Sequence, residues 1–156
     1  MIILGLLEAD ARLSTYQITK KTAIPQTTVL NRIRKLQESG IIKRFSIEVD
    51  WKKLGRKSKV LIFVKVDKRA ERQTSGNIGE IEKKIAKFSL VQSVKRLMGD
   101  YDFVIEMMSS DIDEFNDFLI TKIRSLESVA DTKSMIVLAE WENTVKIGNI
   151  YKSKAE

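Results

Sequence analysis

The sequence predicts an α+β protein built from two domains. Apolar residues recur at helical spacing through the first 40 residues, and the period then falls to two at Phe45, Ile47 and Val49. Beyond a polar stretch around Gly55, strand-like and helix-like segments follow in the order β-α-β-β-α-β. These observations predict a helical N-terminal domain with a strand behind it, a linker, and a C-terminal domain of sheet and helices.

Three short helices are expected in the first domain. Ser14 followed three residues later by Gln17 matches a capping box, so the second helix should begin at Thr15. Pro25 disfavours helical geometry in the residue before it and suits the first turn of a third helix. Gly40 is the expected end of that helix. A tight turn between the second and third helices makes a helix-turn-helix, and the strand that follows makes it winged.

The second domain is predicted to be ferredoxin-like. Its order of elements is that of the split βαβ arrangement, an antiparallel sheet with both helices on one face. The expected strands are 59–66, 91–98, 101–108 and 129–138, and the expected helices are 78–88 and 111–126. The expected domains are therefore a winged helix-turn-helix over 1–50, a linker over 51–57 and the ferredoxin-like domain over 58–156.

Basic charge is concentrated in the first third of the chain. Residues 1–56 carry 11 Lys and Arg against 5 Asp and Glu, whereas residues 57–156 carry 17 against 16. A positive excess confined to one domain indicates that this domain meets a polyanion. The alternative is a lysine-rich solvated surface without a partner, and charge alone does not separate the two.

Composition disfavours several classes of protein. The chain has 43% hydrophobic and 31% charged residues, as in globular proteins, and no apolar run of about 18 residues to span a membrane. Without cysteine it has neither disulfides nor thiolate metal sites. The N-terminus also lacks the basic leader of a signal peptide. These features predict a cytoplasmic protein without a membrane partner, cofactor or metal.

The third predicted helix keeps its polar side chains off its apolar face, which is formed by Val29, Ile33 and Leu36. In DNA recognition, Asn and Lys read base edges in the major groove, while Arg and Lys neutralise phosphates. The alternative is an ordinary solvated amphipathic helix. The capped helix, the turn and the basic charge of the domain together favour a recognition helix for double-stranded DNA. The residues expected to contact DNA are Gln26, Thr27, Thr28, Asn31, Arg32, Arg34 and Lys35.

Four segments carry a resemblance that extends over essentially the whole chain. They are LSTYQITKKTAIPQTTVLNRIRKLQESGIIKRF, the linker WKKLG, MGDYDFVIEM and VADTKSMIVL. In order and spacing they resemble the leucine-responsive/asparagine-operon (Lrp/AsnC) family of prokaryotic transcription regulators. The resemblance implies a helix-turn-helix domain and a ferredoxin-like domain that dimerises and often binds amino acids, with octamers as a further possibility. The turn position that Ala23 occupies is often glycine in that family.

The GDYD segment, residues 99–102, is the second candidate site. By itself it predicts a hairpin turn, with Gly99 supplying a positive φ. The resemblance implies that an effector binds at this loop near a subunit interface. Loop N–H groups suit a carboxylate, and an aspartate suits an ammonium group. The effector residues expected from the resemblance are Gly99, Asp100, Tyr101, Asp102, Thr132 and Ser134.

Acidic residues between 111 and 117 allow a metal site or, as favoured here, the solvated first turn of a helix.

The favoured function is a transcription regulator that binds specific DNA sites and senses a small molecule, an amino acid. A ligand-independent, chromatin-like architectural DNA-binding protein is the alternative. An enzyme is disfavoured because the chain has no histidine, cysteine or phosphate-binding glycine loop. A homodimer is expected through the second domain and the 45–49 strand.

Overall fold

The structure is a computed structural model that describes residues 1–67 and 78–141. The described residues form two compact units, Met1–Glu48 together with Trp141, and Val49–Glu140. No helix in these ranges is long and apolar enough to cross a membrane. Each unit has its own hydrophobic core.

The first unit contains three helices: α1 (Ile2–Ala9), α2 (Thr15–Thr22) and α3 (Gln26–Glu38). The predicted capping box is confirmed, because the Ser14 hydroxyl accepts from the Gln17 N–H and the Gln17 side chain accepts from the Ser14 N–H. All three helices contribute to one small core. Its buried members are Ile3, Leu7, Ile18 and Val29.

The turn between α2 and α3 depends on Ala23. This residue has φ 57° and ψ 11°, in the left-handed region, and its N–H donates to the Thr19 carbonyl at 2.8 Å. A residue with a Cβ costs roughly 1–2 kcal/mol in this conformation. Gly40, the expected end of α3, also has a positive φ of 70°, and its N–H donates to the Gln37 carbonyl.

The strand expected over residues 45–49 is not formed in the single chain, and residues 43–50 have no regular secondary structure. A strand needs a hydrogen-bonded neighbour, and among the described residues this segment has none. Phe45 is 48% exposed and Ile47 is 81% exposed. The alternating pattern therefore marks two apolar side chains that the single chain leaves in solvent.

The second unit is a four-stranded antiparallel sheet in the order β2-β3-β1-β4. The strands follow the predicted positions closely. Both helices also begin where the sequence predicts them. The elements are β1 (Ser58–Val66), α4 (Ile78–Ile85), β2 (Val91–Arg96), β3 (Phe103–Ser109), α5 (Ile112–Phe118) and β4 (Val129–Val137).

Both helices of the second unit cover the same face of the sheet. Ile85 of α4 and Phe118 of α5 belong to one buried cluster with Ile62 of β1 and Ile105 of β3. Alternate residues of each strand point away from this cluster. One sheet face is therefore the core, and the other face has no helix on it within the described chain.

The last helix differs from the prediction in its second half. The predicted span 111–126 is α-helical only to Phe118, and Leu119–Arg124 continues as a π-helix. The acidic residues at its start form a cap: Asp111 accepts from the Glu114 N–H at 2.8 Å, and Arg56 pairs with Glu114 at 2.5 Å. Acids are expected in the first turn because the helix N-terminus carries partial positive charge.

Candidate functional site

The outer surface of α3 presents polar and basic side chains. Val29 is fully buried, whereas Thr27, Asn31 and Arg34 are exposed. Thr28 is only partly exposed, because it lies closer to the helical core than the other threonine. Three further residues expected to contact DNA are also exposed: Gln26, Arg32 and Lys35.

The side chains of α3 are not equivalent. The Gln26 amide nitrogen donates to the Thr15 hydroxyl at 2.9 Å, so it fastens the first turn of α3 to that of α2. Arg32 and Lys35 border an apolar groove of about 440 Å³ against α1. No described acidic side chain forms an ion pair with Arg32, Arg34 or Lys35. Their positive charges are therefore not neutralised by a carboxylate of the described chain.

The GDYD hairpin is fixed to β1 by Asp102. One oxygen of this carboxylate, Oδ2, accepts from the Val66 N–H at 2.7 Å, and the Asp102 N–H donates to the Val64 carbonyl at 2.9 Å. The Asp102 carbonyl accepts from the Leu97 N–H at 2.8 Å. The predicted strand from Tyr101 therefore begins two residues later, at Phe103, because residues 97–102 form the connection.

A cavity of about 650 Å³ opens beside this hairpin. Three of the predicted effector residues line it, and they are joined by residues from the ends of β1 and β4. Tyr101 is not among them, since its ring packs against Phe63 with centroids 5.7 Å apart. The lining consists of Gly99, Asp100, Asp102, Lys65, Val66, Asp67 and Ala130.

The two predicted effector residues on β4 lie elsewhere. Thr132 lines a second cavity, of about 280 Å³, with Arg124, Val129, Ala130 and Asp131. Ser134 is exposed and lines neither cavity. Ala130 lines both cavities, so the two adjoin at this residue.

Lys65, Ala130 and Arg124 are cavity residues that sequence reasoning missed. A signal for Lys65 is present in the predicted topology. In an antiparallel pair the end of β1 lies beside the start of β3, so residues after Val64 must adjoin the hairpin. For Ala130 and Arg124 no residue type in the sequence signals the position, since both depend on local irregularities of the backbone.

The sheet face opposite the helices, called the open face here, carries a charged cluster among apolar residues. Leu61, Phe63 and Met135 lie on it, and the Lys59 amine lies 2.8 Å from Glu106. Hydrogen bonds from Lys59 lower the pKa of Glu106 to about 2.

Burial works against the charged form of Lys59, but its hydrogen bonds with Glu106 and Glu140 outweigh this effect and raise its pKa. The Lys59–Glu106 pair is therefore ionised at neutral pH. A fixed pair of opposite charges thus stands on a face that also carries apolar residues such as Leu61, Phe63 and Met135 and further charged residues such as Lys95 and Lys133.

Two family models match the chain and together cover both units. A winged helix-turn-helix DNA-binding model matches residues 2–43, and the Lrp/AsnC ligand binding domain matches residues 59–147. The chain belongs to the Lrp/AsnC family. It is a transcription regulator with a DNA-binding helix-turn-helix and a ligand-binding domain, so the family resemblance read from the sequence is confirmed.

Similar regulators support this assignment. The HTH-type transcriptional regulator FL11 of Pyrococcus horikoshii is 33% identical over 145 residues, which are 93% of this chain and 91% of that one. AzlB of Bacillus subtilis is 29% identical over 145 residues, 93% of this chain and 90% of its own. Both are named as transcriptional regulators.

Solved structures of Lrp/AsnC regulators have the same fold. AsnC of E. coli superposes with a TM-score of 0.79 at 25% identity, covering 93% of this chain and 94% of that one. A regulator from Neisseria meningitidis, solved as a complex with L-Met, has a TM-score of 0.80 at 22% identity and covers 94% and 92%. The predicted fold class, a helix-turn-helix domain followed by a ferredoxin-like domain, is thereby confirmed.

Proposed function

We propose that this Lrp/AsnC protein is a sequence-specific regulator that binds DNA as a homodimer and senses an amino acid, without catalysing a reaction. The observation that carries the DNA part of the proposal is the outer surface of α3. Thr27 and Asn31 stand exposed on it beside Arg34, and no described carboxylate neutralises this arginine. Such a surface offers hydrogen-bonding groups to base edges and cations to phosphates.

The test compares two residues on this surface. Asn31→Ala is expected to weaken binding to the specific site by about 1–3 kcal/mol and binding to random DNA very little, because an amide reads an adenine edge. Arg34→Gln is expected to weaken both to the same extent, because a phosphate contact carries no sequence information. Mobility shifts on the protein's own promoter measure the affinity for the specific site, and those on a scrambled duplex of equal length measure the affinity for random DNA. An equal loss on both duplexes for Asn31→Ala contradicts the base-reading role.

The effector part of the proposal rests on the cavity beside the GDYD hairpin. The Asp102 carboxylate already holds the Val66 N–H, so Asp100 is the carboxylate that we assign to the ammonium group of a ligand. Lys65 stands at the same cavity. The relative that was solved with L-Met shows that an amino acid is a ligand of this fold in at least one protein.

An amino acid at a hundredfold excess over its dissociation constant should add about 2.7 kcal/mol to the free energy of unfolding. Asp100→Ala is expected to remove this gain and to leave ligand-free promoter binding unchanged, because Asp100 lies outside the helix-turn-helix. Ser134→Ala is the matched control, since Ser134 lines neither cavity. Thermal shifts with each of the twenty amino acids measure the effect. If none of them changes the melting temperature or promoter binding, the architectural alternative becomes the better description.

The dimer is supported by two apolar surfaces that the single chain leaves uncovered. One is the open face, with Leu61, Phe63 and Met135. The other is the segment with Phe45 and Ile47, which lacks a strand partner among the described residues. Apolar side chains that a single chain leaves exposed together on one surface are typical of an interface between copies. Two-fold pairing would place two recognition helices on half-sites roughly 34–36 Å apart, or a multiple of that spacing.

A further inference from the structure

We infer that Arg124 is the carboxylate receptor of the effector site, so that an amino acid spans both adjoining cavities with its carboxylate on Arg124 and its ammonium group on Asp100. The inference rests on the proposed function of the GDYD cavity as the effector site. It adds a residue outside the hairpin and assigns each end of the ligand to one side chain.

The contacts of Arg124 leave its positive charge available to a ligand carboxylate. Its Nε donates to the Thr132 hydroxyl at 2.9 Å, and no described carboxylate forms an ion pair with it. Asp131 lines the same cavity, yet its Oδ1 accepts from the Thr132 N–H at 2.8 Å instead. The guanidinium is therefore held in one orientation by a neutral hydroxyl, and its two terminal nitrogens have no carboxylate partner in the described chain. A guanidinium in this arrangement suits the two oxygens of a carboxylate.

Two backbone irregularities meet at this place. Arg124 is the last residue of the π-helical segment, and such segments occur frequently at functional sites. The pairing of β1 with β4 shifts between Lys65 and Val66, which lie opposite Asp131 and Val129, so Ala130 is skipped. Bulges of this kind redirect side chains and are over-represented next to binding and active sites.

The skipped residue connects the two cavities. Ala130 lines both, together with Arg124 in the smaller cavity and with Asp100 in the larger one. A small side chain at this position leaves one continuous lining. Arg124 and Asp131 line the smaller cavity, and the charged residues of the larger one are Lys65, Asp67, Asp100 and Asp102. Arg124, which has no carboxylate partner in the described chain, and Asp100 together are complementary to the zwitterion of an α-amino acid, whereas an amine or a carboxylic acid satisfies only one end.

The test measures binding to the full-length protein by calorimetry. The probes are the twenty L-amino acids, followed by the amine that corresponds to the best binder without its carboxylate. Arg124→Gln is expected to weaken binding of the best amino acid by about tenfold or more, because the charge-assisted hydrogen bonds between the guanidinium and the ligand carboxylate are lost. Arg124→Lys should restore part of the affinity, since it keeps the charge without the planar fork. The amine should bind wild type and Arg124→Gln with equal, low affinity.

Lys122→Gln is the matched control, because it removes one positive charge from the same π-helical segment without touching either cavity. Thr132 is a positioning residue in this scheme. Thr132→Val should lower the affinity for the amino acid severalfold in the otherwise wild-type protein. In the Arg124→Gln background it should have no effect on this affinity, since the hydroxyl acts only through the guanidinium.

Two failures are distinguishable. If no amino acid binds wild type, the proposed sensor function fails together with this inference. If an amino acid binds wild type and Arg124→Gln binds it equally well, the inference is overturned and the sensor function stands.

Discussion

Raising the salt concentration from 50 to 200 mM is expected to weaken DNA binding by about four orders of magnitude. The estimate assumes that each of two subunits neutralises about four phosphates, which gives a slope of roughly −7 in log K against log salt. The first 56 residues carry 11 of the 28 Lys and Arg of the chain against only 5 acidic residues. Arg34 on α3 has no carboxylate partner among the described residues, so its charge is available to a phosphate.

Filter binding at five salt concentrations gives the slope. Arg34→Gln should make it less negative by about 2 units for a dimer, because one released counterion is lost per subunit. Lys122→Gln makes the same change of charge in the second unit and should leave the slope unchanged. A flat profile in wild type is incompatible with phosphate contacts from the basic domain.

A charge placed on the open face is expected to separate the dimer and to lower operator affinity by roughly 10²–10⁴-fold, because the second half-site then no longer binds intramolecularly. Met135→Glu is the variant of choice. Met135 pairs with Leu61 on the open face and is 43% exposed in the single chain, so the fold of one subunit can accommodate the change. The same carboxylate would have to lose its hydration between two sheets, which is costly.

Ile120→Glu is the matched control, since Ile120 is an apolar residue of the π-helical segment and is 52% exposed. Light scattering at micromolar concentration should give a monomer for Met135→Glu and a dimer for Ile120→Glu and wild type. Far-ultraviolet circular dichroism of both variants checks that the subunit remains folded. A dimer of Met135→Glu with unchanged operator affinity contradicts the placement of the interface.

Much of the fold could be predicted because local residue chemistry determines it. Ser14 and Gln17 cap each other within four residues, and Pro25 and Gly40 delimit α3 through their own backbone preferences. The strands of the second unit coincide with short apolar runs such as KVLIFVKV at residues 59–66. The acidic side chain of Asp111 caps a helix, as the favoured interpretation of the acidic run expects.

The parts that could not be predicted depend on neighbours that are distant in sequence. LITKIR contains no residue type that separates a π-helix from an α-helix, so the position of Arg124 beside Thr132 was not foreseen. The strand predicted at 45–49 is not formed, because an alternating sequence does not by itself supply a neighbouring strand for hydrogen bonding. In the candidate site, Gly99, Asp100 and Asp102 line the cavity, whereas Tyr101 packs on Phe63 of β1.

The clamp that Asp102 makes with β1 has a consequence for the thermodynamics of recognition. Since the hairpin is tied at Val64 and Val66 without any ligand, the wall of the cavity is preorganised. A ligand that binds there loses little free energy in ordering the loop, and more of its contact energy appears as affinity. Discrimination among ligands then depends on how well each fits a rigid wall, and a poor fit is not relieved by local rearrangement of the hairpin.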